Sequence, residues 1–435
     1  MSRWRDVHGV NHILVMDSKK KSILTVLSWA SFDFANTGFY VIIITLVFPL
    51  YFNNVIAGGN ESYLGRTISI SMLITALLGP LLGSVADVTN QKKMFLAFLT
   101  VACILATIGL YFMDQHTFWL AVMLLIVANV GFEGGTVFYD AFLPEVSAPS
   151  NYARVSGYGF AFGYLGSFVI LLLVLPFIEG QEIGPNVRVT FLIAAAFFAL
   201  FCLPTFFFVP ERHTEKPHDK SVFTAGYVRL LSTLSHLDSN RSVKRFLLAF
   251  FFYNDSILTV IYFSSLFAYN VLKLSTQDLV FFFLIVQGCA LVGSIAFGLV
   301  TNKLGPRQTI AVTLLIWLAV IVGVYFSNTR NAFFALGAIG GVALGSSQST
   351  SRTMMALLTP PEKKTEFFGF YDGFFGKASA IIGPLIFGEV ARQLGQRTAI
   401  LCVGALMSIG LVLLFRVPDV RPPVGERAGQ MNDAG

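Results

Sequence analysis

Twelve stretches of this chain are nearly free of charged side chains and run to about 20 residues or more, enough to cross about 30 Å of hydrocarbon as a helix. They lie near residues 28–52, 66–86, 94–113, 118–143, 154–178 and 187–208, then near 244–270, 278–300, 308–326, 331–358, 366–390 and 397–416. Lipid offers no hydrogen bonds, so a segment crossing it must satisfy its own backbone, which a helix does. Only 12% of the 435 residues are charged, against about 25% in soluble domains, and a water-soluble globule could not hide this much apolar surface. The expected fold is an all-α polytopic membrane protein of twelve transmembrane helices in two pseudo-symmetric six-helix bundles. Its parts are an N-terminal segment 1–27, a first bundle 28–208, a linker 209–243, a second bundle 244–416 and a tail 417–435. In the linker, Val222, Tyr227, Leu230, Leu231, Leu234 and Leu237 fall at mostly helical spacing, which predicts a short amphipathic helix on the membrane face.

The distribution of Lys and Arg orients these spans. Twenty-two of the 30 fall in the segments on the side of the two termini, six on the opposite side, and only Arg352 and Lys377 inside spans. Basic residues near helix ends resist translocation, so both termini are expected in the cytoplasm, and a bacterial cytoplasmic membrane is the expected location. The net charge of +6 is spread over short loops at a membrane face rather than gathered on one module, which argues against a nucleic-acid partner. Cys103, Cys202, Cys289 and Cys402 are far apart in apolar runs, with no metal-ligand spacing. No cofactor or metal is expected, and residues 1–27 lack the pattern of a cleaved secretory signal.

The two halves repeat one another. Gly83 and Asp87 after span two match Gly298 and Asn302 after span eight at an offset of 215, and Asn36 matches Asn254 at 218. Glu145 matches Glu362 at 217, and Ser156-Gly157 matches Phe368-Gly369 at 212. Duplicated helical units around a midplane site are a common plan of secondary transporters.

The loop after span two, from Gly83 through Asp87 to Lys92 and Lys93, resembles the Gly-x-x-x-Asp-x-x-x-x-Lys/Arg signature of the major facilitator superfamily. A small residue lets helices approach closely, and a carboxylate with cations at a helix end can form a latch. Asn302 replaces the acid in the second copy, so a symmetric latch is not expected. Further segments are similar to the vacuole effluxer-like family of that superfamily. They are Trp29-Ala30-Ser31-Phe32-Asp33-Phe34-Ala35-Asn36, Tyr139-Asp140-Ala141-Phe142-Leu143-Pro144, Arg154-Val155-Ser156-Gly157, Tyr253-Asn254-Asp255, Gln348 with Ser351-Arg352, and Glu366-Phe367-Phe368-Gly369-Phe370-Tyr371. The resemblance implies a fold and solute transport, with amino acids as a lead because a fungal member exports them from the vacuole. It also implies that spans one, four, seven and ten line a central cavity while three, six, nine and twelve face lipid.

Ionisable residues inside hydrocarbon are costly, by about 2.5–3.5 kcal/mol each on insertion scales, so their positions are informative. Away from the span ends they occur in spans one (Asp33), four (Glu133, Asp140), seven (Asp255), ten (Arg352) and eleven (Glu366, Asp372, Lys377). Helical spacing puts Asp33 with Asn36, Gln348 with Arg352, and Glu133 with Asp140 on shared faces. Asp33, Asp140, Arg352 and Asp372 are expected in the cytoplasmic half, as a gate or as substrate contacts. Glu133, Asp255 and Lys377 are expected nearer the midplane, with Glu133 and Asp255 as candidate proton carriers and Lys377 as a partner of Asp372 or another carboxylate. Asn254 and Gln348 can bond a substrate or another helix. The function expected is alternating-access transport of a small polar metabolite, with protons as a candidate coupling ion and lipid as the other partner. A channel, a non-transporting receptor and, with less support, an intramembrane enzyme stand as alternatives. No H-E-x-x-H occurs, and Gly376-Lys377-Ala378 fails the phosphate-loop pattern.

Overall fold

The computed structural model describes residues 23–58, 61–178, 185–211, 240–274, 276–360 and 363–421, and among them it contains helices and no strand. Twelve rods follow in order: α1 (23–56), α2 (Glu61–Thr89), α3 (Lys92–Leu110), α4 (Phe118–Ala141), α5 (Tyr152–Ile178) and α6 (Val189–Phe208), then α7 (Arg241–Asn270), α8 (Thr276–Leu304), α9 (Pro306–Phe326), α10 (Arg330–Leu358), α11 (364–394) and α12 (Gln396–Leu414). Eleven are long and apolar enough to span a bilayer by composition alone. The twelfth, α11, carries Glu366, Asp372 and Lys377 within its length. The predicted linker helix lies outside the described residues.

Bare helices joined by short loops leave carbonyls exposed at their ends, and here basic side chains from neighbouring rods take them. Lys93 at the start of α3 donates to the Phe206 carbonyl near the end of α6 (3.0 Å), and Arg307 at the start of α9 donates to that of Val417, just past α12 (3.1 Å). Arg397 does the same at the opposite end, reaching the Tyr325 and Ser327 carbonyls that follow from α9. The end of the bundle that carries Lys92, Lys93, Arg154, Lys303, Arg307, Lys363 and Lys364 is here called the basic end, and the other the far end.

Between the first six and last six rods the contacts run chiefly through α2 against α11 and α5 against α8, and glycine makes both possible. A side chain at Gly83 would lie 2.6 Å from the Thr365 carbonyl of α11, and one at Gly157 2.5 Å from the Ser294 carbonyl of α8. Gly79 and Gly373 likewise bring α2 and α11 backbone to backbone. The outer faces present Phe98, Trp119, Phe207 and Phe326, each well exposed, as a helix bathed in lipid requires.

Two rods are not wound as plain α-helix. In α1 the segments Tyr40–Leu46 and Phe52–Ile56 are π-helical, and in α11 so is Gly369–Gly376. Such segments in an α-helix frequently sit at functional sites. Here Tyr40, Val41, Thr45 and Leu46 of the one and Tyr371, Asp372 and Gly376 of the other line the same cavity.

Candidate functional site

A cavity of about 390 Å³ lies between the two sets of helices. Its lower boundary, towards the basic end, is made by Asp33, Asp140 and Arg352, and it extends towards the far end as high as Leu46, Phe267, Val324 and Phe333. Two ionic clusters stand in its wall.

The first closes the floor. Arg352 of α10 is 1% exposed, and its Nη1 lies 2.8 Å from Asp140 Oδ1 of α4 and 3.3 Å from Asp33 Oδ2 of α1. Its Nε donates to Ser156 Oγ and its Nη2 to the Ser156 carbonyl, both at 2.9 Å. The Tyr139 hydroxyl donates to Asp33 Oδ2 at 2.7 Å. The guanidinium carbon is 4.1, 4.8 and 5.6 Å from the ring centres of Phe160, Trp29 and Tyr139, where a ring quadrupole attracts a cation. Trp29 and Tyr139 stack on each other, and the Trp29 indole N–H donates to the Tyr139 carbonyl. One side chain from the second half of the chain is thereby gripped by three helices of the first.

The second cluster lies further along the cavity, and it rearranges the sequence-based grouping. Lys377 of α11 forms an ion pair with Glu133 of α4 and lies 3.5 Å from Asp372 Oδ1. The Thr136 hydroxyl donates to the other Asp372 oxygen at 2.8 Å. Asp372 therefore belongs with Glu133 and Lys377 and not with the Arg352 group as expected. Glu133 is no isolated carboxylate.

Asp255 stands away from the cavity lining. It is 1% exposed, and its Oδ1 accepts the Gly383 backbone N–H of α11 at 2.8 Å. A side chain at Gly383 would lie 2.9 Å from that carboxylate, so glycine and aspartate together let α7 and α11 meet. Asn254 lines the cavity and donates to Ser379 Oγ at 2.8 Å, an interhelical bond. Asn36 and Gln348 also line it. Asn36 is 4% exposed, and its Nδ2, near the Asp33 carboxylate, makes no well-formed hydrogen bond among the described residues.

The loop signature divides into two duties. Asp87 at the end of α2 accepts the backbone N–H groups of Thr365 (3.3 Å) and Glu366 (3.1 Å), so it caps the first turn of α11 from outside, and Gly83 permits the approach. Lys92 and Lys93 do not join this latch. Lys92 pairs with Glu145 and Lys93 with the end of α6, which keeps both within the first half. Asn302, at the corresponding place in the second half, has a side-chain oxygen with no partner among the described residues.

Sequence reasoning missed the contribution of spans nine and twelve. Trp317, Val320 and Val324 of α9 and Ile400 and Val403 of α12 reach the cavity, so neither rod faces only lipid. Gly340 of α10, which also lines it, leaves room beside Trp317 and Val320, while Gly337 and Gly341 admit α8. The run Ala338 to Gly345, rich in glycine and alanine on a cavity-lining helix, was the available signal.

A family model described as vacuole effluxer Atg22 like matches residues 55–422. The "Uncharacterized MFS-type transporter YxiO" of Bacillus subtilis is 33% identical over 408 residues, covering 90% of this chain and 94% of that one. Autophagy-related protein 22 of Kluyveromyces lactis is 25% identical over 370 residues, covering 77% and 74%. Among solved structures, the human organic anion transporter MFSD10 superimposes with a TM-score of 0.74 at 16% identity, over 90% of this chain and 99% of that one.

Proposed function

This chain belongs to the vacuole effluxer Atg22-like family of major facilitator transporters, and from that premise we propose that it carries a small polar metabolite, an amino acid by the family's lead, across a membrane by alternating access. The carrying observation is the Arg352 lock. It joins α10 to α1, α4 and α5 in the wall of the cavity, at the end of the lining nearest the basic end. An ion pair between two bodies that move is the kind of contact that forms and breaks as they rock. With the basic end taken as cytoplasmic, the lock closes the inner side, and both termini lie in the cytoplasm of a bacterial cell.

Two polar regions then have separate work. The Arg352 group serves as the inner gate, four of its five N–H donors committed to protein oxygens. The Glu133–Asp372–Lys377 group, with Asn36 and Gln348, meets the solute. Glu133 shares an ammonium across the two halves, so proton uptake there would release Lys377 and couple charge to movement; Asp255, bonded to α11, is the second coupling candidate. Saturable counterflow of amino acids in proteoliposomes separates a carrier from a channel, and binding without flux would mark a receptor. If Glu133→Gln and Asp255→Asn both leave pH-gradient-driven accumulation unaltered, the coupling assignment falls.

A further inference from the structure

Among the described residues, the ionisable acids and bases lining the cavity are Asp33, Glu133, Asp140, Arg352, Asp372 and Lys377. Four carboxylates face two cations, a formal charge of −2 within a cavity walled mainly by apolar and aromatic side chains. Each cation is shared between two carboxylates, so each cluster carries one negative charge in excess. An uncompensated charge surrounded by low-dielectric protein and lipid is costly, and the field of such a pocket draws positive charge towards it.

The two clusters differ in whether they have room for it. In the Arg352 group Ser156 and two carboxylates hold the guanidinium, Asp33 also accepts from Tyr139, and Trp29 and Phe160 lie against the cation, which leaves both carboxylates little open to the cavity. In the other group Lys377 is drawn to Glu133 and lies 3.5 Å from Asp372. A carboxylate can accept about four hydrogen bonds; Asp372 accepts one from Thr136. Its side chain is 22% exposed, the most open of the six, against 12% and 13% for Asp140 and Asp33. The π-wound turn of α11 presents it to the cavity, with Tyr371 and Gly376 on the same wall. A second observation points to a ligand. Asn36, 4% exposed, lines the same cavity with an amide N–H₂ that makes no well-formed hydrogen bond among the described residues, its polar neighbour being the Asp33 carboxylate one turn away.

We propose that Asp372 is the docking carboxylate for a positively charged amino group of the transported solute, and that the Asn36 amide donates to an oxygen of the same molecule. This rests on the transporter reading above and goes beyond it by naming the charge selected and the residue that selects it. Compounds with a free amine are accepted, and their N-acetylated counterparts are refused.

The test uses the purified full-length protein. Thermal shift and equilibrium binding are measured with free L-amino acids, the same amino acids N-acetylated, and putrescine, on the wild type, Asp372→Asn and Asp372→Glu. The expected result is stabilisation by free amines alone, a loss of affinity of about tenfold or more in Asp372→Asn, as for an ionic hydrogen bond, and recovery in Asp372→Glu. Equal affinity of the wild type and Asp372→Asn for free amines, with pH-gradient-driven accumulation lost in the variant, would overturn the proposal in favour of a proton at Asp372. Binding of N-acetylated compounds as tightly as free ones would overturn it while leaving a working transporter. Absence of saturable flux for every compound in wild-type proteoliposomes would instead strike the transporter reading, and this inference with it.

Discussion

Arg352 shows how much a single side chain can be committed. A guanidinium has five N–H donors, and here Asp33, Asp140 and two atoms of Ser156 take four of them in a side chain that is 1% exposed. Little of it is open to a solute, so Arg352→Gln is expected to abolish transport while changing solute affinity by no more than about threefold, under 1 kcal/mol. A hundredfold loss would place Arg352 against the solute. Removing one partner of a buried ion pair costs about 3–5 kcal/mol, so the variant is also expected to melt earlier. Adding Asp33→Asn and Asp140→Asn removes the stranded charges and should restore most of that loss. Gly159 offers an independent route to the same state. A side chain there would lie 2.6 Å from Arg352 Nη2 and 2.9 Å from Trp29, so Gly159→Val should free the lock by crowding it, with every charged residue kept. These identities were legible beforehand, because a charge inside an apolar span must have a partner. The triad Asp33–Arg352–Asp140 follows from matching opposite charges at similar depth.

At the scale of the helix, legibility depended on winding. Asp372 and Lys377 are five residues apart, which on an α-helix puts them on different faces, since neighbours there are three and four apart. The Gly369–Gly376 segment closes i→i+5 bonds and turns that spacing into adjacency. No side-chain pattern announces a π segment, so the sequence places Asp372 at the depth of the Arg352 group even though Lys377 is already a candidate partner for it. The α2–α11 contact was more readable, because Gly83 and Asp87 carried a recognisable spacing, although their target was not in the pattern. Asp87 supplies to Thr365 and Glu366 what the N-terminus of α11 lacks, since Lys363 at the cap position offers no side-chain acceptor. A capping carboxylate contributes about 0.5–2 kcal/mol, so Asp87→Ala should shift the balance between closed and open basic ends by about 2- to 30-fold. The check is the labelling rate of a cysteine at Ser294, buried between α5 and α8, in a background without the four native cysteines. A rate unchanged by Asp87→Ala would reduce the loop signature to packing.

For the whole molecule, the repeat read from offsets near 215 reappears as paired duties, Lys93 and Arg307 closing the ends of α6 and α12. The duplication is imperfect where function enters. Asp87 caps α11, while Asn302 leaves its oxygen without a described partner, and the Arg352 grip runs from the second half into the first. The two crossings between halves at the basic end are therefore unequal, the α2–α11 side held by the Asp87 cap and the α5 side by the bonds of Ser156 to α10. If the halves rock as bodies around the cavity, access from the two ends must be mutually exclusive. A cysteine at Thr37, which lines the cavity, should react with an impermeant maleimide from the far side in the otherwise unaltered protein. Combining it with Arg352→Gln and Asp87→Ala removes both locks at the basic end, and labelling should then move to that side and fall on the other. Simultaneous, undiminished labelling from both sides would describe a channel. Tags on the two termini provide the frame for this experiment, since an even number of crossings puts them on one face, and tags found on opposite faces would leave the rocking scheme without its geometry.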